Sequence, residues 1–74
     1  MSHYVFSYYD GEELVLYQEF EEDPMFEDTD MGYLGFHREC TKMIQEYKKS
    51  HPNAHGHGEI YDNFLDGPVK SWRL

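Results

Sequence analysis

The spacing of apolar residues along this 74-residue chain changes period twice, and each change marks an element. Tyr4 to Tyr9 is dense in aromatic and β-branched residues and predicts a strand. Asp10-Gly11 follows, the strongest short-range hairpin signal, and Glu13 to Glu22 predicts the returning strand. Two registers compete. A two-residue loop at Asp10-Gly11 sets Phe6 opposite Val15 and Tyr4 opposite Tyr17. A three-residue loop, Tyr9-Asp10-Gly11 with Gly11 left-handed, sets Phe6 opposite Leu14 and Tyr4 opposite Leu16. The second gathers Tyr4, Phe6, Tyr8, Leu14, Leu16 and Phe20 on one face and is preferred, because register follows the buried face. Val5, Ser7, Glu13, Val15, Tyr17, Glu19 and Glu21 then fall on the other face.

Asp23-Pro24 ends the strand, since proline cannot donate to a ladder. Residues 23–32 read as an acidic loop holding Met25 and Phe26, and Thr29 or Asp30 can cap the helix that follows. From Tyr33 the period is helical: Tyr33, Phe36, Cys40, Met43, Ile44 and Tyr47 share one face. Arg38, Lys42, Gln45 and Lys49 share the opposite one. Lys48 and Lys49 suit the negative end of the helix, and Pro52 prevents its continuation. His51 to Gly58 reads as a loop. Ile60, Tyr61, Phe64 and Leu65 predict a short helix stopped by Gly67 and Pro68. A strand is the alternative, with Asp62 spoiling its alternation. Val69 to Leu74 predicts a last strand anchored by Trp72. The expected fold is α+β: one domain over 1–74, with a two- or three-stranded antiparallel sheet packed on one main helix.

Size sharpens that picture. A chain this short buries only about 60% of its unfolded surface, so its core is marginal. The single cysteine, Cys40, excludes an internal disulfide and fits a reducing compartment. A metal or a second copy remains as support. Seven tyrosines and five phenylalanines separate the chain from disordered acidic sequences, which are poor in aromatics. Met1-Ser2-His3-Tyr4 has neither a basic region nor an apolar run, so no signal peptide is expected. No stretch approaches the ~18 apolar residues of a membrane span. A cytoplasmic protein is expected.

Charge changes the picture most. Ten carboxylates lie between Asp10 and Asp30: Asp10, Glu12, Glu13, Glu19, Glu21, Glu22, Asp23, Glu27, Asp28 and Asp30. No lysine or arginine precedes Arg38, so nearly all of the net charge of -9 is one local field. Such a field attracts a basic partner and repels nucleic acid and anionic membrane. Glu19, Glu21 and Asp23 form an i, i+2 row at about 6.6–6.8 Å, an interval comparable with phosphates along a backbone. The segment Asp23 to Asp30 lacks the spacing and the glycine of an EF-hand loop.

Other chemistry is sparser. His51, His55, His57 and Glu59 have the ligand types of a transition-metal site, with Gly56 and Gly58 to let a loop wrap. Three close histidines could also titrate together. Cys40 with His37 three residues earlier could be adjacent on the helix, but a buried structural thiol is the stronger reading. There is no phosphate-binding glycine loop and no nucleophile elbow, so an enzyme is not expected.

In size, charge and aromatic content the chain resembles the small acidic proteins that bacteriophages use in host takeover, several of which imitate DNA. The nearest stretch to a signature is Gln18-Glu19-Phe20-Glu21-Glu22-Asp23. The resemblance implies an inhibitor in the host cytoplasm that occupies the nucleic-acid site of a histone-like nucleoid protein, polymerase, nuclease or restriction system. The ten carboxylates would meet that partner, with Tyr4, Tyr8, Tyr9, Tyr17 or Phe26 as apolar anchors. No cofactor is required. The alternatives are a small metal-binding or regulatory domain using His51–Glu59, or a structural assembly subunit. Val5, Val15 and Tyr17, left on the face away from the helix, predict a homodimer.

Overall fold

The computed structural model describes residues 2–21 and 32–73. The order is β1 (Tyr4–Asp10), β2 (Glu13–Phe20), α1 (Tyr33–Ser50), β3 (Gly56–Asp62) and β4 (Gly67–Arg73). The four strands form one antiparallel sheet in the order β2-β1-β3-β4, with α1 across one face. The protein is therefore α+β, as expected, with two C-terminal strands rather than one.

The helical period from Tyr33 places Phe36, Cys40 and Ile44 in the core with Phe6, Tyr8 and Ile60. Tyr33, Met43 and Tyr47 pack around them, while Arg38, Lys42, Gln45 and Lys49 are exposed, as the sequence indicates. Aromatic rings tie the helix to the sheet: Phe36 lies 5.0 Å from Phe20, Tyr33 4.8 Å from Tyr4, and Tyr47 6.0 Å from Tyr8. Gly32 occupies the N-cap without a side-chain bond; Thr29 and Asp30 lie outside the described residues. The helix ends where the His51 N–H donates to the Tyr47 carbonyl.

Neither expected hairpin register occurs. Phe6 faces Gln18 and Tyr4 faces Phe20, with a two-residue Gly11-Glu12 loop and Gly11 at φ +65°. There are two causes: the turn falls at Gly11-Glu12, two residues of register away from an Asp10-Gly11 loop, and a β-bulge adds one more, Val15 having no partner between the Tyr8–Leu16 and Tyr9–Leu14 pairs. One extra residue reverses the parity of everything before it. Val15 therefore packs on the core, and Leu14, expected inside, is 47% exposed on the far face. β2 also stops at Phe20, short of Glu22.

The expected loop holds only over 51–55, and the helix expected over 59–66 is absent; the strand alternative is the one that occurs, from Gly56 to Asp62. Gly56 to Asp62 pairs with all of β1, and residues 63–66 are only the turn into β4. Gly56 and Gly58 explain this: a Cβ on Gly56 would sit 1.7 Å from the Tyr8 hydroxyl, and one on Gly58 2.7 Å from the Tyr8 ring. They are strand positions emptied so that Tyr8 can lie across β3. Asp62 is inside because it caps the turn, its Oδ1 accepting from the N–H groups of Phe64 (2.8 Å) and Leu65 (3.1 Å). Both edge strands carry features that discourage further strand pairing. β2 has its bulge, Glu13 and Glu19; β4 has Pro68, a bulge, Lys70 and Arg73.

Candidate functional site

Five of the ten described carboxylates gather at the two ends of edge strand β2; Glu39 and Glu46 lie on α1, Glu59 and Asp62 on β3, and Asp66 in the turn before β4. Asp10, Glu12 and Glu13 surround the β1–β2 turn; Glu19 and Glu21 lie at the other end. From Glu13 to Glu19 the bulged strand spans five ladder steps, about 17 Å, with Leu14, Val15, Leu16, Tyr17 and Gln18 between. The expected row Glu19–Glu21–Asp23 is cut, because regular strand ends at Phe20. Glu22, Asp23, Glu27, Asp28 and Asp30 lie outside the described residues, as does Phe26.

Two of the acids also have structural partners. Asp10 turns toward the helix and accepts from the Tyr47 hydroxyl at 2.8 Å. That bond to the carboxylate, then burial, raises the Tyr47 pKa. Glu19 accepts from Ser2 Oγ at 2.6 Å. Ser2 is itself held by Asn63, whose Nδ2 donates to the Ser2 carbonyl at 2.7 Å. Glu12, Glu13 and Glu21 are exposed.

The edge strand itself carries no cation, but Arg38 on α1 lines one depression with Gln18, Glu19 and Phe20 of β2. β1 holds no cation either. Lys70 and Arg73 lie on the opposite edge strand, which holds no carboxylate. Lys42, Lys48, Lys49 and Arg38 lie on α1. Between the two edge strands charge is thus segregated, β2 holding acids without bases and β4 bases without acids.

The face away from α1 is uncovered and reads as three cross-strand rows. They are Leu14-Tyr9-His57-Arg73, Tyr17-Ser7-Glu59-Ser71 and Glu19-Val5-Tyr61-Pro68. Tyr9 and His57 stack at 5.4 Å, and the Tyr61 hydroxyl donates to Asp66. A depression of about 240 Å³ lies among Ser7, Tyr9, His57, Gly58 and Glu59. Of the proposed aromatic anchors, Tyr9 and Tyr17 are on this face. Tyr8 is fully buried and Tyr4 packs on the core, so neither is available. Topology alone shows Tyr61 and Glu59 joining this surface; no local sequence signal carries that.

The histidine reading loses its ligand set. His51 stacks on Tyr47 at 4.1 Å, His57 on Tyr9, and His55 is exposed at the end of the connection into β3. Among the described residues, no three His, Cys, Asp or Glu side chains gather around one point. The thiol of Cys40 is buried, and burial, then Glu39, pushes its pKa up to about 12. It is a protonated core side chain at neutral pH. His37 stacks on Trp72 at 5.7 Å, and burial, then Lys70, lowers its pKa. Among the described residues no helix is long and apolar enough to cross a membrane.

No protein-family model, curated protein or solved structure matches this chain.

Proposed function

We propose that this chain is a non-enzymatic inhibitor that presents the acidic β2 edge to a basic DNA- or RNA-binding protein and excludes nucleic acid from it. The observation that carries the reading is the segregation of charge. Acids occupy both ends of β2, which carries no base, while the far edge strand β4 carries Lys70 and Arg73 and no acid. A molecule polarised in this way is oriented by the field of a basic partner as it approaches, which raises the association rate. The two acidic ends stand about 17 Å apart along the ladder. The targets that fit are a histone-like nucleoid protein, a polymerase, a nuclease or a restriction system, reached in a host cytoplasm.

The test uses Glu12→Gln/Glu13→Gln/Glu21→Gln, which removes three exposed charges and leaves Asp10 and Glu19 bonded. Immobilised wild type is expected to retain nucleic-acid-binding proteins from bacterial lysate, and duplex DNA is expected to release them. The triple variant is expected to bind at least about tenfold more weakly, about 1.4 kcal/mol, with a flatter dependence on salt. Retention indifferent to DNA, or equal in the variant at low salt, contradicts the reading.

A further inference from the structure

We propose that the uncovered sheet face is the self-complementary interface of a two-fold homodimer, in which Glu19 of each copy meets Arg73 of the other. This surface shares Glu19 with the acidic edge, but the proposal does not depend on the inhibitor reading.

Charge complementarity selects a second copy as the occupant. Glu19 ends one outer row on β2 and Arg73 ends the other on β4, so the two stand at opposite corners of the face. Three strand spacings across and two i, i+2 steps along are each about 14 Å, so the corners form roughly a square. A two-fold axis lying in the interface along the other diagonal, from Leu14 to Pro68, exchanges the charged corners. Both Glu19–Arg73 pairs then form at once, and the strands of the two sheets cross near a right angle, a known mode of sheet packing. Among the described residues neither Glu19 nor Arg73 is in an ion pair within one copy.

Shape agrees with charge. The same axis carries Tyr17, 50% exposed, onto the Tyr9–His57 stack of the other copy, beside the 240 Å³ depression. Leu14, 47% exposed, meets its own symmetry mate. Edge-to-edge assembly is disfavoured by the bulges, Pro68 and edge charges, which leaves the face as the route to association. The arrangement has one unfavourable feature: the two Glu59 carboxylates come close to the axis and repel.

Sedimentation equilibrium of the full chain decides it. Wild type is expected to dimerise at micromolar concentration. Glu19→Arg and Arg73→Glu are each expected to raise the dimer Kd at least about tenfold, since each places two like-charge pairs across the interface. The double variant is expected to return to within about threefold of wild type. It retains the Glu19 change, so a lost Ser2 contact cannot produce that recovery. If Glu19→Arg does not fold, Arg73→Glu alone carries the test. Glu59→Gln is expected to tighten the dimer. A wild type monomeric at high micromolar concentration overturns the proposal. So do single reversals without effect, a double variant without recovery, or a looser Glu59→Gln dimer.

Discussion

Tyr8 shows how one side chain dictates its surroundings. It is fully buried, its ring lies over Gly58 and Gly56, and its hydroxyl is the one buried side-chain polar atom without a partner among the described residues. Burial, then Asp10, raises its pKa. A hydroxyl that makes no bond contributes no bond energy while its desolvation still costs, so Tyr8→Phe is expected to hold or raise the melting temperature. Gly58→Ala is expected to cost about 2–3 kcal/mol. Its Cβ would lie 2.7 Å from the Tyr8 ring and 2.9 Å from the Ser7 carbonyl, and the backbone cannot yield as a side chain can. Thermal melts of the two variants check both. Cys40 makes a second residue-scale case. With its pKa at about 12 it is expected to resist alkylation in the folded protein at pH 8 and to react once denaturant exposes it.

At the scale of elements, the helix was legible because its period is carried by six large residues, Tyr33 to Tyr47, with lysines closing its end. The hairpin was legible as an element from Asp10-Gly11 but not in register. A bulge at Val15 leaves no mark in a sequence where Leu14, Val15 and Leu16 are all apolar. β3 was hidden because two of its inward positions are glycine and a third is Asp62, so Ile60 is the one large apolar side chain on its buried side. The glycines answer to Tyr8, distant in the chain, and Asp62 to the turn that follows it. The same turn gives an expected pH response. Burial favours the neutral form of Asp62, but the N–H groups of Leu65 and Phe64, with His3 at 3.3 Å, outweigh it and hold the pKa below 3.8. A carboxyl depressed in the folded state stabilises fully above its unfolded value and loses that contribution as pH falls through the folded one. Asp62→Asn is therefore expected to lower the melting temperature at pH 7, with the gap to wild type closing in acid below pH 3.8. A gap constant over that range would assign the effect to packing.

For the whole molecule, the acidic field was legible at once in the absence of any cation before Arg38. Its arrangement was not. The position of β2 at the sheet edge, the diversion of Asp10 to Tyr47 and Glu19 to Ser2, and the segregation of cations to α1 and β4 all follow from topology. Two effects of salt then separate the two surfaces. Binding of a basic partner weakens as salt rises, because opposite charges are screened. Association of two copies, each with a net charge of -9, is expected to tighten, since exposed pairs such as Glu19–Arg73 contribute only about 0.2–1 kcal/mol each and set geometry more than affinity. The most direct measurement is competition on a purified histone-like nucleoid protein carrying labelled duplex DNA. Wild type is expected to displace the duplex, progressively less well as salt rises, and Glu12→Gln/Glu13→Gln/Glu21→Gln to displace it at least about tenfold less well. Displacement at equal concentration by the triple variant, or failure of the wild type to displace DNA from that protein or from a polymerase, nuclease or restriction enzyme, contradicts the acidic-edge account.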